Sequence, residues 1–227
     1  MRGGWGGDIA DAFHHRHLPQ PVCQLAIAFT KSSEVSIDTY PFSETRGERF
    51  PPVRLAIFHL QDVCVRIPRS LRNHLRTASL ELAPQIEATF RWLRKRQVRI
   101  ALLSDFDEAG TNILLERLSW ELGGDQLIQA VVPEQGVGEN PIRQAMDLAG
   151  VSDPHQVTLI ADTPDLLNFG TQAQVRLNLG VTSGKHSYEV LNSTPCRALL
   201  DNTIQIVNYL LDEVPQLAAA GGAGSNG

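Results

Sequence analysis

The chain has 227 residues, a formal net charge of −5 and a pI of about 5.8. An acidic chain argues against nucleic acid or an anionic membrane as the main partner. The length suits one α/β core that buries roughly 70% of the unfolded surface, and no apolar run approaches the roughly 18 residues of a transmembrane helix.

Cysteine usage and the N-terminal sequence both favour a reducing, cytoplasmic location. The three cysteines have no CxxC spacing, and an odd number leaves one thiol without a disulfide partner. The first residues are glycine-rich and contain no apolar signal-peptide core. We therefore expect an intracellular protein in which Cys23, Cys64 and Cys196 are ordinary reduced thiols.

Apolar runs alternate with amphipathic stretches along the middle of the chain. This alternation predicts an α/β domain with a mostly parallel sheet and right-handed crossovers. The predicted strands are Leu55–Leu60, Val98–Leu103, Leu127–Val132, Val157–Ala161 and Val175–Gly180. The predicted helices are Pro84–Arg96, Glu108–Glu121, Pro141–Ala149, Pro164–Gln174 and Thr203–Leu211.

These elements divide the chain into three parts. Residues 1–52 are predicted to be an N-terminal extension, either partly disordered or folded as a strand hairpin. Residues 53–214 hold the α/β domain. Residues 215–227 read AAAGGAGSNG at their end, a composition typical of a flexible tail.

The stretch Leu55–Val65, LAIFHLQDVCV, is the most informative part of the sequence. Its apolar first half suits a parallel strand covered on both faces. Polar Gln61 and Asp62 follow where such a strand would emerge at its carboxyl end. Open α/β sheets place their ligands at this edge, so we expect the functional site here.

This strand and two later stretches resemble the haloacid dehalogenase (HAD) superfamily, with the greatest similarity to its phosphonatase-like hydrolases. Val98–Trp120, VRIALLSDFDEAGTNILLERLSW, resembles that family's strand, Thr/Ser, Gly-Phe-Asp turn and Leu-rich helix. Ala145–Leu191 resembles its helix, strand, Gly-Asp-Thr-x-x-Asp turn and Val-Gly-Val-x-x-Gly-x-His-Ser ending. The resemblance spans roughly Val53–Val214 and implies a HAD-like, Rossmann-like core of three layers.

The family's catalytic groups are largely absent from the matching positions. In the family the first strand ends in Asp-x-Asp, the nucleophile and the general acid/base, both near Mg²⁺. Here those positions hold His59 and Gln61. Histidine brings no negative oxygen to Mg²⁺, and glutamine neither gives nor takes a proton usefully near pH 7. The family's basic residue also lacks a counterpart between Val132 and Ile142, with Arg143 as the nearest candidate.

The resemblance leaves a hydroxyl and one clear carboxylate in place. Ser104 matches the family's Thr/Ser, and Asp162 matches the first Asp of the later turn. Leu166 occupies the second Asp position, and Asp165 comes one residue too early, which rotates its side chain by about 100° on a helix. Metal binding therefore rests on Asp162, with Asp165 as a poorer candidate. Ser104 and Asp162 are also residue types of ordinary turns and N-caps.

Two basic segments add to this picture. Residues 62–82 lie where the family places a helical cap, and they are long enough for a cap remnant with at most a short helix. Arg69, Arg72 and Arg76 there would share one helical face. Another basic cluster, Arg91, Arg94, Lys95 and Arg96, ends the first predicted helix. These positive charges would stabilise the C-terminal end of the helix dipole. The alternative is that they form a patch that binds phosphate or a partner.

We therefore expect a catalytically degenerate HAD-like protein, a pseudo-phosphatase that acts as a binding, scaffolding or regulatory module. No cofactor is expected, and the partner is a protein or a phosphate-bearing small molecule. One alternative is a hydrolase of phosphate esters or phosphonates, or another enzyme with altered chemistry, which would bring Mg²⁺ or a phosphoryl-accepting His59. Another is a phosphate-ester binder that uses Ser104 without turnover. The oligomeric state stays open.

Overall fold

The computed structural model describes residues 51–68, 74–133 and 139–215. The predicted N-terminal extension, apart from Pro51 and Pro52, and the tail beyond residue 215 lie outside these ranges. Within the same ranges, no helix combines the length and the apolar character needed to cross a membrane.

Six parallel strands form one sheet: β1 (Leu55–His59), β4 (Arg99–Leu103), β5 (Ala130–Val132), β6 (Val157–Ala161), β7 (Leu177–Val181) and β8 (Ala198–Leu200). Their spatial order is β5-β4-β1-β6-β7-β8. From β1 the chain builds outward to β4 and β5, then returns to place β6 on the other side of β1. The strand order thus reverses between β1 and β6, which is where open α/β sheets place their ligands.

Helices cover both faces of this sheet, as the predicted α/β class requires. They are α1 (Ile86–Lys95), α2 (Glu108–Leu118), α3 (Pro141–Ala149), α4 (Pro164–Ala173), α5 (Tyr188–Asn192) and α6 (Gln205–Leu210). One buried cluster joins α1, α2 and α6 to the sheet, and the other joins α3, α4 and α5. The sheet therefore forms the middle of three layers.

Successive side chains of β1 point to opposite faces of the sheet and therefore pack against the two different helix layers. Phe58 packs in the first cluster, where its ring meets Phe90 of α1 edge to face at 5.0 Å. Leu55 and Ile57 pack in the second cluster against α3 and α4. All five β1 residues are buried, which explains why the sequence shows a continuous apolar run instead of a half-polar pattern.

The five predicted strands and five predicted helices are all present. Two, Val157–Ala161 and Pro141–Ala149, have the predicted bounds, β7 ends one residue later than predicted, and the others are shorter. The predicted strand Leu127–Val132, for example, is reduced to Ala130–Val132. Among the described residues, the short features that were not predicted are β8, α5, the 3-10 helix Pro154–Gln156 and a separate antiparallel pair, β2 (Val65–Arg66) with β3 (Glu81–Leu82). These elements have five residues or fewer, so tertiary contacts rather than periodicity determine them.

The β2–β3 pair occupies the segment predicted to be a cap remnant. Residues 62–68 and 74–82, the described part of this segment, contain no α-helix. Arg69 and Arg72 of the predicted basic stripe lie outside the described residues. Over the described part, strand and turn occupy the segment for which the sequence predicted at most a short cap helix.

Candidate functional site

Four strand ends meet at the carboxyl edge of the sheet, beside the reversal of strand order. His59 is the last residue of β1, Ser104 directly follows β4, and Asp162 directly follows β6. The loop after β7 contributes Gly184 and Lys185. Because parallel neighbours end at the same edge, residues more than a hundred positions apart in the sequence come together here.

His59 lies between two aspartates. Its Nδ1 is 2.5 Å from Asp162 Oδ1, and its Nε2 is 2.9 Å from Asp105 Oδ1. The side chain of Asp162 is fully buried and that of His59 is 2% exposed, whereas the Asp105 side chain is 39% exposed. The two contacts approach the ring from its two nitrogens, so one imidazole bridges a buried carboxylate and an accessible one.

The two carboxylates keep this imidazole charged. Burial lowers the pKa of His59, but the hydrogen bonds and charges of Asp105 and Asp162 raise it from 6.5 to about 9. At neutral pH both ring nitrogens therefore carry a proton and donate to the aspartates. A protonated ring has no lone pair for phosphorus or a metal ion. The alternative of a phosphoryl-accepting His59 is accordingly disfavoured.

Asp162 is held by a second donor. Its Oδ2 accepts a hydrogen bond from the Lys185 backbone N–H at 2.9 Å. The β7 loop approaches so closely that a Cβ added to Gly184 would lie 2.3 Å from this oxygen. Both carboxylate oxygens thus have donors from the chain itself, and only a glycine fits beside them.

These residues do not fit the Mg²⁺ ion that the fold family implies. Mg²⁺ requires oxygen ligands in nearly octahedral geometry, whereas both oxygens of Asp162 accept hydrogen bonds and the neighbouring position holds a cation. Asp165 lies exposed in the first turn of α4, and Leu166 adds no ligand. Throughout the described residues, no group of three His, Cys, Asp or Glu side chains is arranged to hold a metal ion.

Gln61 and Ser104 complete the network with a second buried pair. Gln61 Nε2 donates to Ser104 Oγ at 3.2 Å, and Gln61 Oε1 accepts from the Asp105 N–H at 3.0 Å. Ser104 Oγ also accepts from the Phe106 N–H at 3.1 Å and lies 2.8 Å from the Thr111 hydroxyl. The N–H groups after β4, which would otherwise be free to face an anion, already have acceptors within the chain.

Ser104 has the ordinary turn role that its residue type suggests, whereas Asp162 does not have the N-cap role. Ser104 accepts from the N–H two residues ahead, as in an ordinary serine turn. Asp162, in contrast, does not cap α4, because Thr163 is the N-cap and its hydroxyl accepts from the Leu166 N–H. Arg143, the candidate for the missing basic residue, donates to the Gln172 carbonyl at 3.4 Å on α4. It makes no described contact with the site.

A groove lies next to this network and provides the accessible part of the edge. It has a volume of about 490 Å³, and its lining includes Asp62, Arg66, Glu81 and Lys185. Arg66 also donates to the Ser183 carbonyl at 2.9 Å, which ties β2 to the loop after β7. The groove combines both signs of charge, so it favours a polar partner over an apolar one.

The sequence predicted that His59, Gln61, Ser104 and Asp162 lie at one edge of the sheet. It did not identify Asp105 as a member of the site. Asp105 stands where the resemblance has the glycine of Gly-Phe-Asp, and that departure was the signal that could have identified it. Gly184 and the Lys185 N–H were also missed. Their roles depend on how closely the β7 loop approaches β6, which no spacing in the sequence reports.

The buried thiol near this edge is unreactive. Burial and the charge of Asp162 raise the pKa of Cys64 well above 9. The thiolate, which is the nucleophilic form, is therefore scarce at neutral pH. Cys64 packs in the core cluster of α1, α2 and α6, as expected for a small apolar residue.

Comparisons with known proteins agree on the fold. No protein-family model matches the chain, and no curated protein does. A structure described as a phosphatase from Clostridium difficile has a TM-score of 0.58 at 11% identity, covering 70% of this chain and 99% of that one. A haloacid dehalogenase-like family hydrolase from Streptococcus pneumoniae gives 0.55 at 12% identity, covering 69% and 98%.

A third solved structure is the cobalt-bound form of the deoxy-D-mannose-octulosonate 8-phosphate phosphatase from Haemophilus influenzae. Its TM-score is 0.51 at 15% identity, and the match covers 71% of this chain and 89% of that one. The matches to these structures extend over most of each compared chain. The six-stranded parallel sheet and its helices therefore have the fold of the HAD-like hydrolases and phosphatases.

Proposed function

We propose that this protein is a catalytically degenerate HAD-like protein that acts as a binding, scaffolding or regulatory module. The observation that carries the proposal is the imidazolium of His59, held between Asp162 and Asp105. In the family this position supplies the nucleophile beside a metal ion. Here it supplies a positive charge that belongs to the chain.

This charge makes metal-dependent chemistry unfavourable. The positive charge of His59 repels a metal ion placed beside Asp162 and offsets part of the attraction that the two carboxylates would exert on it. Binding the ion would require His59 to lose its proton and Asp162 to give up its hydrogen bonds. We therefore propose that the protein uses no Mg²⁺ and no other cofactor.

The family's acid/base position also lacks a titratable group. Gln61 stands at the family's acid/base position, and its amide does not titrate near neutral pH. Both ends of this amide are engaged, by Ser104 and by the Asp105 N–H. A network in which every member already has a partner stabilises the fold instead of awaiting a substrate.

The partner in this proposal is a protein or a phosphate-bearing small molecule. The groove lined by Arg66, Lys185 and two acidic residues offers it a polar surface at the edge of the sheet. Retention of a rigid, fully bonded edge suits recognition, because a preformed surface loses little conformational entropy on binding.

Hydrolysis of a phosphate ester or phosphonate is the second candidate. It is supported by the fold shared with phosphatases and by one residue, Asp105, whose carboxylate is the accessible member of the His59 cluster. A hydrolase would have to use Asp105 as its nucleophile, from β4 rather than from β1. That arrangement would also leave no titratable group at the family's acid/base position, which Gln61 occupies.

Phosphate release from a panel of phosphomonoesters and phosphonates, with and without Mg²⁺, tests the proposal. We expect no release above that of a no-protein control, and no difference between the native protein and His59→Ala. Release that depends on the protein and disappears in Asp105→Asn would overturn the proposal in favour of the second candidate. Release that disappears in His59→Ala would establish His-dependent chemistry.

A further inference from the structure

Three arginines line one cavity at the edge of the sheet opposite His59. Arg54 precedes β1, Arg94 lies in the last turn of α1, and Arg99 is the first residue of β4. The cavity has a volume of about 590 Å³, and its lining includes one acidic residue, Asp125. We call it the amino-edge pocket. Its formal charge of +2, from three arginines and one aspartate, contrasts with the net charge of −5 of the whole chain.

The guanidinium groups of Arg54 and Arg94 have only weak partners. Among the described residues, neither forms an ion pair. Arg54 Nη1 donates to Gln97 Oε1, and Arg94 Nη2 donates to the Gly124 carbonyl. Each of these hydrogen bonds is 3.5 Å long. Contacts of this length contribute little, so most of the donors on both side chains are available to a ligand. Both arginines are half-buried, which limits their freedom before binding.

Arg99 is fixed from the other side of the pocket. Its Nη1 donates to the carbonyls of Ala149 and Gly150, at 2.5 Å and 2.9 Å. Gly150 has a φ of 64°, and a Cβ added there would lie 3.3 Å from Arg99 Nη1. Arg99 therefore supplies a donor for two carbonyl groups at the C-terminal end of α3, and these hydrogen bonds hold its guanidinium group in place. Arg54 follows no helix, so complementing a helix dipole does not explain its position in the same pocket.

We infer that the amino-edge pocket binds a small phosphorylated molecule. A guanidinium group presents paired donors that match the oxygens of a phosphate, and such charge-assisted bonds are stronger than neutral ones. The volume is within the range of small-molecule sites. The lining is rich in charged and amide side chains, which favours an anion over an apolar ligand.

This site lies at the opposite edge of the sheet from the His59 cluster. It uses the amino ends of β1 and β4, whereas the inherited catalytic edge uses their carboxyl ends. The inference therefore holds whether or not the carboxyl edge is catalytic. It also assigns a ligand-binding role to part of the basic cluster at the end of α1.

Calorimetric titration of the full chain with inorganic pyrophosphate, at pH 7 and constant ionic strength, tests this inference. We expect saturable binding of one anion per chain. Arg54→Gln and Arg94→Gln should each weaken binding by about tenfold or more, since each removes charge-assisted hydrogen bonds. Arg94→Lys should give an intermediate loss, because lysine keeps the charge but not the paired donors.

Arg91→Gln is the matched control. Arg91 lies one turn before Arg94 on α1, pairs with Glu87 at 2.8 Å and is not part of the pocket lining. Its replacement removes the same charge and should change the affinity less than about twofold, as expected for an exposed ion pair. Thermal unfolding of each variant, compared with the native protein, establishes that the variants are folded.

Four results would overturn the inference, three from pyrophosphate titrations and one from citrate. The first is the absence of saturable heat with pyrophosphate. The second is an equal loss of affinity in Arg91→Gln and Arg94→Gln, which would indicate attraction to the general charge of α1. The third is loss of binding in Arg66→Gln with native affinity in Arg94→Gln, which would place the anion at the carboxyl edge. Citrate should bind at least about tenfold more weakly than pyrophosphate, and equal binding would exclude phosphate selectivity.

Discussion

The two edges of the sheet hold their charged side chains in opposite ways. At the carboxyl edge, His59 and Asp162 are buried and bonded to each other over 2.5 Å. At the amino edge, Arg54 and Arg94 are half-buried, and the hydrogen bonds that their side chains donate to described residues are 3.5 Å long. A cluster of charges at a strand end is therefore not itself a ligand site. The deciding property is how far the chain satisfies those charges without a ligand.

Removing the buried carboxylate should disrupt the carboxyl edge most strongly. Asp162→Ala leaves the buried His59 charge with Asp105 alone and the Lys185 N–H without its acceptor. We expect the free energy of unfolding at pH 7 to fall by about 3 to 5 kcal/mol, the usual cost of breaking a buried ion pair. Urea denaturation measures this change.

Asp165→Ala is the control for that variant. Asp165 is exposed in the first turn of α4, so its removal should cost less than about 1 kcal/mol. A small effect of Asp162→Ala, similar to that of Asp165→Ala, would mean that the buried pair does not stabilise the edge.

The pH dependence of stability should reveal the same pair. The folded pKa of His59 is about 9, above the 6.5 of an ordinary histidine. Its stabilising contribution is therefore complete below about pH 6.5 and is lost as the pH rises through about 9. The loss should approach roughly 3 kcal/mol, because each pKa unit between 6.5 and about 9 corresponds to about 1.4 kcal/mol. Urea unfolding between pH 6 and 9.5 should show this decline in the native protein and not in His59→Gln; equal slopes would contradict the charged ring.

The close approach of the β7 loop should be sensitive to one methyl group. In Gly184→Ala the new Cβ would lie 2.3 Å from Asp162 Oδ2, so the loop or the carboxylate must move. We expect a loss of about 1 to 3 kcal/mol, as for other overpacked sites. Gly124→Ala is the matched control, since a Cβ there has no neighbour within 4 Å. Similar thermal unfolding midpoints for the two variants would argue against a tightly packed edge.

The smallest expected effect is on phosphatase activity when the family's carboxylates are restored. The double variant His59→Asp, Gln61→Asp places two acids on β1, but Leu166 and the absent basic residue stay unchanged. We expect no Mg²⁺-dependent phosphatase activity above that of the native protein. Clear turnover in the double variant would show that two residues alone separate this edge from a working one.

The fold was largely predictable because its central elements are long and periodic. The apolar run at Leu55–Leu60 predicted β1. In α1, Ile86, Phe90 and Leu93 are buried and have the i, i+4, i+7 spacing of a core-facing stripe. The three residues of β8 were not predictable, because a strand this short is specified by its pairing with β7. Its sequence alone does not distinguish it from a loop.

The site was predictable in its position and not in its bonding. The carboxyl ends of parallel strands must meet, so His59, Ser104 and Asp162 were expected at one edge. The sequence could not show that His59 uses both ring nitrogens, because Asp105 bridges to it across the loop after β4. Nor could it show that Gln61 takes up the N–H of Asp105. Both facts depend on side-chain distances that no motif encodes.

The protonation state of His59 tests the central claim most directly. Nuclear magnetic resonance of protein with ¹⁵N-labelled histidine, compared with His59→Gln to assign the signal, reports both ring nitrogens during a pH titration. We predict that both nitrogens are protonated at pH 7, that the ring titrates near pH 9, and that millimolar Mg²⁺ leaves the signal unchanged. A neutral ring at pH 7, or a signal that shifts as Mg²⁺ binds, would contradict the account of an edge satisfied by its own charges.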